Sequence, residues 1–324
     1  MMASTAEIVS KRPFFVKMDG IIYPGVFSPK CFREALDYKP QAEDVFIVTY
    51  PKCGTTWMQN VALYIFRKGK KLEDMSQFLK YCPSLDMCGK EGIEKMPKPG
   101  AFKTHLPYTH MPYSSEAKYI FVARNPKDCA VSLFHHTRNH FGFRYWDGEF
   151  DEFFELFMAG QVEYGDYFDH LLSWYPHRND PNLYHTTYED MKKDIKKVIV
   201  DLAKFLGDEF IGAIEKDNSV FNNIVHFSSF EYMKKNFDEV YTLKPKEGKI
   251  LMEPKTYEGL QYIERSISEM DLPKELPKWN SVRKGIVGDW KNALTEEQVE
   301  SLDRKFMEKT KGTSIPNWFS ISSN

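Results

Sequence analysis

A single-domain α/β fold, with a central parallel sheet flanked by helices, is what the sequence predicts. Two strand–helix units carry this prediction. A β-branched and aromatic run at 45–50 precedes a segment of helical character at 55–67, and the apolar run 118–123 precedes an Asn-Pro pair that suits a helix start, at 125–136. A third strand, 183–188, is again followed by apolar residues at helical spacing. Strands that alternate with helices favour parallel pairing, with helices on both faces of the sheet.

The 324 residues show no division into separate parts, so we expect one domain over 1–324. No internal repeat, low-complexity tract or Ser/Gly linker interrupts the sequence. Turn-rich segments at 96–100 and 244–259 are expected to be surface loops. One helix is expected over the apolar positions 191–206, ending at Gly207.

The composition excludes several classes of protein. Lysine and arginine number 44 against 46 aspartates and glutamates, so no broad basic surface is present and we expect no nucleic-acid partner. The apolar runs fall far short of the roughly 18 to 20 residues of a membrane helix, and we expect no membrane partner. The amino-terminal segment lacks the apolar stretch of a secretory signal. Five cysteines without a Cys-x-x-Cys pair argue against a disulfide framework and a zinc site, so we expect a cytoplasmic protein.

The segment 50–57, Tyr-Pro-Lys-Cys-Gly-Thr-Thr-Trp, lies where the first of these strands turns into a helix. Because the first N–H groups of a helix point at an anion placed there, this pattern of lysine, glycine and hydroxyls predicts a phosphate-binding loop. Lys52 precedes Gly54, whereas the lysine of an ATP-type loop follows the last glycine, so a metal-nucleotide site is less favoured. On the loop alone, an ordinary strand–helix turn remains the alternative.

Other strands are also followed by candidate functional residues. Ligands of parallel α/β folds bind at the carboxyl ends of strands, which directs attention to positions just after 104, 123 and 187. Lys103 and His105 lie two residues apart in an extended segment, so both side chains face the same way. They pair a cation with a base that is roughly three-quarters neutral at pH 7 when its pKa is about 6.5. Taken alone, a histidine in a strand is more often structural.

The pattern Pro-Lys-x-Gly-Thr-Thr-Trp after a strand resembles the phosphosulfate loop of the cytosolic sulfotransferases, which use 3′-phosphoadenosine 5′-phosphosulfate (PAPS). Further segments resemble that family in the same order: 103–107, 124–128 with Ser132, 188–190, 228–230 and 283–291. The resemblance implies an α/β domain with a P-loop-kinase-like phosphate loop and a core at about 20–310. It also implies a PAPS-dependent enzyme that sulfonates the hydroxyl of a small, largely apolar acceptor.

The same resemblance implies roles for individual residues. Lys52 would stabilise the leaving oxygen, Lys103 would help to orient the sulfuryl oxygens, and His105 would be the general base. Moving a proton from a phenol of pKa about 10 to such an imidazole is uphill, so proton removal should accompany attack on sulfur. The residues implied to bind PAPS are Lys52, Cys53, Gly54, Thr55, Thr56, Trp57, Arg124, Ser132, Tyr188, Ser228, Ser229, Phe230, Arg283, Lys284 and Gly285. Lysines and arginines supply the positive charge, so no metal is expected.

The acceptor is less well determined. Four aromatic residues lie in segments that resemble acceptor-pocket loops: Phe27, Tyr81, Phe141 and Phe143. We therefore expect a small-molecule partner with a flat apolar body. A phenol, a phenolic monoamine and a steroid-like alcohol all remain possible acceptors. Two other classes remain as alternatives. A metal-dependent nucleotide kinase would need an ATP-type lysine position, and a non-catalytic binder of adenosine bisphosphate would lack a base such as His105.

Two positions depart from the family pattern. In the carboxyl-terminal dimer pattern, Lys291, Thr295 and Glu300 fit, but Glu296 replaces the central valine. A homodimer through this segment is therefore disfavoured, and Glu296 is expected to begin a helix that runs to about residue 311. Cys53 stands where serine or alanine is common. It is either a redox-sensitive, thiolate-prone residue at a helix amino terminus or a small inert one.

Overall fold

The computed structural model describes residues 6–237, 243–244, 249–250, 257–273 and 282–319. The strands are β1 (Glu7–Lys11), β2 (Phe14–Met18), β3 (Ile21–Pro24), β4 (Val45–Thr49), β5 (Phe102–Thr104), β6 (Lys118–Ala123), β7 (Leu183–Thr187), β8 (Leu243–Lys244) and β9 (Lys249–Ile250). The α-helices are α1 (Pro29–Leu36), α2 (Thr55–Phe66), α3 (Phe78–Tyr81), α4 (Leu85–Glu94), α5 (Pro126–Asn139), α6 (Phe150–Met158), α7 (Tyr167–Trp174), α8 (Tyr188–Lys193), α9 (Ile195–Leu206), α10 (Asp208–Lys216), α11 (Asn218–Phe227), α12 (Phe230–Phe237), α13 (Glu258–Ser268), α14 (Glu296–Lys309) and α15 (Ile315–Trp318).

A four-stranded parallel sheet, in the order β5-β4-β6-β7, forms the centre of the structure. Val48 of β4 pairs with Thr104 of β5 and with Phe121 of β6. Ala123, the last residue of β6, pairs with Thr187, the last residue of β7. All residues of β4 are buried, because a central strand of a parallel sheet is covered on both faces. The predicted α/β fold with a central parallel sheet is confirmed.

Two apolar cores cover the two faces of this sheet. On one face, Ile47 and Ile120 pack with residues of α2, α9 and α11, including Ile199. On the other face, Phe46 packs in a core that includes Trp174 of α7 and residues of α5 and α6. The antiparallel sheet β1-β2-β3 contributes to that second core. The alternation of Phe46 and Ile47 between the two cores follows from the two-residue period of a strand.

The predicted strand–helix units agree with the structure, with one correction. Asn125 is the N-cap of α5, and its side-chain oxygen accepts a hydrogen bond from the N–H of Lys127 at 2.9 Å. The single helix expected over 191–206 is wrong, because the backbone leaves helical geometry at Asp194. The Asp194 carboxylate instead accepts from the N–H of Lys197 at 3.0 Å and caps α9.

The segment 96–100 contains neither helix nor strand, as expected. The loop expected at 244–259 is described only in part. Its described residues belong to the antiparallel pair β8 and β9 and to the start of α13, so the expectation of a continuous loop is wrong there. Within the described ranges, no helix combines the length and the apolar character needed to cross a bilayer. That one domain takes in all of 1–324 stays a prediction.

Candidate active site

A pocket of about 320 Å³ lies at the carboxyl-terminal edge of the parallel sheet. A lining residue follows each of its strands: Lys52 after β4, His105 after β5, Arg124 after β6 and Tyr188 after β7. Parallel strands end at one edge, and the fold therefore brings together residues that are far apart in sequence. The site residues predicted from the sequence that line this pocket are Phe27, Lys52, Gly54, Thr55, Thr56, Trp57, Lys103, His105, Arg124, Ser132, Phe143, Tyr188, Phe230, Arg283, Lys284 and Gly285.

The loop between β4 and α2 turns at two residues with left-handed backbone, Lys52 (φ 68°) and Gly54 (φ 94°). A Cβ atom at position 54 would lie 2.9 Å from the ring of Tyr188, so both the backbone and this contact require glycine. The hydroxyls of Thr49 and Thr55 are hydrogen-bonded at 2.6 Å, which ties the end of β4 to the start of α2. The predicted strand–turn–helix is present, and the binding of phosphate by its loop stays a prediction.

Two lysines, Lys52 and Lys103, line this pocket. The pKa of Lys52 is lowered to about 8, chiefly by burial and also by the charges of Lys103 and Arg124, while Glu163 opposes the shift. Burial also lowers the pKa of Lys103. An anionic ligand bound here would favour the charged form of both amino groups.

His105 is held in one tautomer. Its Nδ1 lies 2.8 Å from the carbonyl oxygen of Thr49, which can only accept, so Nδ1 carries the proton and donates. Nε2 then keeps the lone pair that a base requires. Burial lowers the pKa of His105 well below its ordinary value, and the charge of Lys103 adds to this effect. The imidazole is therefore neutral, and able to accept a proton, at neutral pH.

Asp86, a buried carboxylate of α4, fixes the backbone that carries His105. It accepts hydrogen bonds from the hydroxyl of Thr104 at 2.5 Å, the N–H of His105 at 2.8 Å and the hydroxyl of Tyr164 at 2.7 Å. Thr104 thus binds Asp86, while Lys103 and His105 line the pocket, as the two-residue period of the strand predicts. The ring of Tyr164 packs edge-to-face on His105, with centroids 5.1 Å apart.

A second group of cations lines the same pocket. Arg124 donates to the carbonyl oxygen of Lys52 at 3.0 Å, and its guanidinium lies 4.2 Å from the ring centroid of Tyr188. Its Nε has no hydrogen-bond partner among the described residues. Ser132 of α5 also lines the pocket. A buried guanidinium with an unpaired donor is suited to bind an anion.

Arg283 and Lys284 complete this second group, and both pair with Asp289. The Arg283–Asp289 and Lys284–Asp289 ion pairs measure 2.6 and 2.7 Å. Burial by itself would raise the pKa of Asp289, but the hydrogen bonds from Lys284 and Arg283 outweigh it and lower that pKa to about 2. Asp128 of α5 accepts from the N–H of Gly288 at 2.7 Å. These contacts hold the turn at 283–289 against α5.

Three aromatic rings lie beside these cations. Trp57 packs edge-to-face on Tyr188 with centroids 5.5 Å apart, and its Nε1 donates to the carbonyl oxygen of Ser228 at 2.8 Å. The third ring, Phe230, lies close to Gly285, where a Cβ atom would come within 2.3 Å of it. Glycine at 285 therefore allows the cationic turn to approach the ring. Flat apolar rings beside positive charges suit a purine nucleotide.

Comparison with known proteins identifies the family. The sulfotransferase domain model matches residues 42–314. The chain belongs to the sulfotransferase family. Sulfotransferase 1E1 of Cavia porcellus is 33% identical over 296 residues, which are 87% of each chain. Amine sulfotransferase of Oryctolagus cuniculus is 32% identical over 296 residues, or 87% of this chain and 85% of the relative. The crystal structure of mouse sulfotransferase SULT7A1 complexed with PAP superposes with a TM-score of 0.66, at 29% identity over 94% of this chain and 96% of that one.

Cys53 of this sulfotransferase is fully buried, and its side chain does not line the pocket. Its Sγ lies 3.8 Å from the Sγ of Cys129. Burial raises the pKa of the Cys53 thiol well above its ordinary value, and the contact with Cys129 adds to this. Of the two alternatives for Cys53, burial favours the small inert residue, because the loss of hydration opposes the positive potential of the helix terminus.

Two predicted nucleotide-binding residues, Ser228 and Ser229, also lie outside the pocket lining. The carbonyl oxygen of Ser228 holds the indole of Trp57, as described above. The hydroxyl of Ser229 accepts from the N–H of Tyr232 at 3.2 Å, near the start of α12. Both serines therefore position the aromatic side of the pocket instead of lining it.

Two of the four predicted acceptor residues, Tyr81 and Phe141, are likewise outside the lining. Tyr81 lies beneath the guanidinium of Arg67, 5.3 Å from the ring centroid. Phe141 is buried in an apolar cluster with residues of α13, including Leu260. Their aromatic character is used in packing, while Phe27 and Phe143 line the pocket.

Sequence reasoning missed several lining residues, above all Glu163 and His136. His136 follows Ser132 by one turn of α5, so the helical period could have found it. Glu163 lies between α6 and α7, and no motif in the sequence marks it. The remaining lining residues that were not predicted are Pro24, Val26, Pro51, Ser84, Met87, His135, Asn139, His140, Tyr164, Lys192, Met233, Val282 and Ile286.

The segment of the family dimer pattern has a local structural role. Thr295 is the N-cap of α14, and its side chain accepts from the N–H of Gln298 at 3.2 Å. The Gln298 side chain accepts in return from the N–H of Thr295 at 3.0 Å, which completes a capping box. Glu296 is the first residue of the helix, as predicted, and the helix ends at Lys309. That a homodimer through this segment is disfavoured stays a prediction.

Proposed function

We propose that this sulfotransferase transfers the sulfuryl group of PAPS to the hydroxyl of a small, largely apolar acceptor: a phenol, a phenolic monoamine or a steroid-like alcohol. The observation that carries the proposal is the tautomer of His105, fixed by the 2.8 Å hydrogen bond from Nδ1 to the Thr49 carbonyl oxygen. That bond leaves Nε2 as a base in the pocket that Lys52 and Lys103 also line.

Two groups of positive charge support PAPS as the donor, because PAPS has two anionic ends. The loop with Lys52 and the first N–H groups of α2 suit the 5′-phosphosulfate. Arg124, Ser132 and Arg283 suit the 3′-phosphate, and the rings of the aromatic side suit the adenine. The likeness to a mouse sulfotransferase complexed with PAP supports the same donor. The proposal includes no metal, because lysine and arginine side chains supply the positive charge.

PAPS, when bound, supplies the sulfuryl group. His105 Nε2 takes the proton of the acceptor hydroxyl while the acceptor oxygen bonds to sulfur. The bond from sulfur to the 5′-phosphate oxygen breaks, and its electron pair goes to that oxygen, whose developing charge the Lys52 ammonium stabilises. Because the pKa of His105 is lowered, a complete prior proton transfer from a phenol would be strongly uphill. Concerted transfer avoids that cost.

The apolar part of the lining supports a flat acceptor. Phe27, Phe143, Val26 and Met87 contribute apolar surface to the pocket. The relative from Oryctolagus cuniculus is named an amine sulfotransferase, which keeps a phenolic monoamine among the candidates. We also infer a cytosolic location, supported by five cysteines that are buried and free.

The test is transfer of radiolabelled sulfate from PAPS to a panel of small phenols, phenolic amines and steroid alcohols, with a metal chelator present. We expect sulfonated product at a rate that the chelator does not change. Magnesium-dependent transfer of phosphate from ATP would instead show the kinase alternative to be correct. Binding of adenosine 3′,5′-bisphosphate without turnover of any acceptor would show a non-catalytic binder.

A further inference from the structure

Glu163 places a carboxylate in a pocket whose other charged lining residues, among those the structure describes, are cations. These are Lys52, Lys103, Arg124, Lys192, Arg283 and Lys284. We propose that Glu163 binds an ammonium group on the acceptor, so that this pocket prefers hydroxyl acceptors that also carry an amine. The inference rests on the proposed function, since it concerns the acceptor of the same reaction.

The backbone that directly follows Glu163 is anchored at two successive residues. The N–H of Tyr164 donates to the carbonyl oxygen of Ile22 at 2.6 Å, and the Tyr164 hydroxyl donates to buried Asp86. The carbonyl oxygen of Gly165 accepts from the hydroxyl of Tyr50 at 2.9 Å. Glu163 therefore projects from a backbone that is fixed by buried hydrogen bonds, as a residue that selects a ligand group requires.

The Glu163 carboxylate is poorly satisfied by the protein. Its side chain is only 4% exposed, and Oε1 has no hydrogen-bond partner among the described residues. His136 Nε2 lies 3.8 Å from Oε1, beyond hydrogen-bond distance. Burial lowers the pKa of His136 well below its ordinary value, so the imidazole is neutral at pH 7 and does not balance the carboxylate. An ammonium group would donate the hydrogen bond that Oε1 lacks.

The charge of Glu163 also responds to its ligand. Burial raises the pKa of Glu163 to about 7, while the charges of Lys52 and Lys103 oppose that rise. At that pKa the carboxyl group is partly protonated at neutral pH, even beside these two lysines. An ammonium group in contact with Glu163 stabilises the ionised carboxylate, whereas a neutral acceptor does not.

Glu163 lines the same pocket as the proposed base, His105. Its neighbour in sequence, Tyr164, packs edge-to-face on the base His105, with centroids 5.1 Å apart. Because Glu163 and His105 line one pocket of about 320 Å³, a single small acceptor can contact both of them. The apolar residues Val26 and Phe143 line the same pocket and suit the body of an aromatic ring.

The alternative role for Glu163 is to balance the charges of Lys52 and Lys103 without contact to the acceptor. The two roles predict different results with a matched pair of acceptors. Tyramine and 4-propylphenol have the same phenol and the same chain length, but one chain ends in an ammonium and the other in a methyl group. A residue that only balances the lysines would affect both acceptors equally.

The experiment measures kcat/KM for tyramine and for 4-propylphenol at saturating PAPS, in the wild type and in Glu163→Gln. We expect the tyramine to 4-propylphenol ratio to fall by at least about tenfold in Glu163→Gln, because a charge-assisted contact is lost for one acceptor only. Glu163→Asp, which keeps the charge, should retain part of the preference. Glu155→Gln, on an exposed position of α6, is the matched control and should leave the ratio unchanged.

Two results overturn the inference and leave the proposed function intact. One is an unchanged tyramine to 4-propylphenol ratio in Glu163→Gln, and the other is a wild type that sulfonates 4-propylphenol but not tyramine. Failure of every acceptor in the wild type contradicts the proposed function itself. Calorimetric binding of adenosine 3′,5′-bisphosphate verifies that the variant is folded. If it is not, a second measurement uses the wild type alone: phenethylamine should inhibit 4-propylphenol sulfonation more strongly than propylbenzene, and equal inhibition overturns the inference.

Discussion

Two charged regions of one pocket are built in different ways. After β4 and β5, burial lowers the pKa of Lys52 to about 8 and the pKa of His105 well below its ordinary value. In the turn at 283–289, Arg283 and Lys284 instead share the carboxylate of Asp289, and the pKa of that carboxylate is lowered to about 2. In the first region, burial keeps His105 neutral and brings Lys52 closer to losing its charge, whereas in the second region the two cations are ion-paired to one carboxylate.

This difference separates chemistry from binding. His105 must be neutral to accept a proton, and its lowered pKa keeps it neutral, while Lys52 must be charged to stabilise the leaving oxygen. A group that only holds a phosphate benefits from permanent charge and a fixed backbone. Substitutions in the first region should therefore change the rate of transfer, and substitutions in the second should change nucleotide affinity.

The largest expected effect is on catalysis. We expect His105→Ala to lower the rate of sulfate transfer by at least about a hundredfold, because the general base is removed. The affinity for adenosine 3′,5′-bisphosphate, measured by calorimetry, should change little. The control is His110→Ala, an exposed histidine outside the pocket lining, which should keep normal turnover. Near-normal turnover by folded His105→Ala would remove this histidine from the mechanism.

Arg283→Ala should act on binding. We expect it to weaken adenosine 3′,5′-bisphosphate by about 1.5 to 3 kcal/mol more than adenosine 5′-monophosphate, because only the former loses a charge-assisted bond to its 3′-phosphate. Calorimetric titration with both nucleotides measures the difference. Arg265→Ala, an exposed arginine of α13, is the control. Equal weakening of both nucleotides would mean that Arg283 does not bind the 3′-phosphate.

The pH dependence should show which region changes charge. Because the pKa of Lys52 is lowered to about 8, the amino group loses its proton as pH rises through 8, and kcat/KM for PAPS should fall by about half there and by about tenfold one unit higher. No acidic loss is expected near pH 6.5, because the pKa of His105 lies well below that value. The measurement is a profile of kcat/KM between pH 5 and 10.

Lys52→Arg is the sharper form of this test, because a guanidinium stays charged throughout that range. Whatever its absolute rate, this variant should no longer lose activity around pH 8. Lys70→Arg, at an exposed lysine, should keep the wild-type profile. A profile that is the same in Lys52→Arg and in the wild type would assign the alkaline loss to another group.

Local signals account for the parts that the sequence predicted correctly. The β-branched run before the glycine turn, and the Asn-Pro pair before α5, each act within a few residues, and strand ends of a parallel sheet must meet at one edge. Glu163 could not be found in this way, because its neighbour His136 lies far from it in the sequence. The aromatic character of Phe141 likewise does not reveal which side of the backbone faces the pocket.

The smallest expected effect concerns Cys53, at the boundary between the loop and the core. It has the helix-terminal setting of a reactive thiol, but burial raises the pKa of that thiol, and its Sγ contacts Cys129 at 3.8 Å. All five cysteines are buried. We therefore expect iodoacetamide, with mass spectrometry as the readout, to label Cys53 no faster than Cys31, Cys82, Cys88 and Cys129 in the folded protein, with or without adenosine 3′,5′-bisphosphate. Faster labelling of Cys53 that the nucleotide prevents would show that the loop opens, and that its thiol belongs with the reactive region of the pocket.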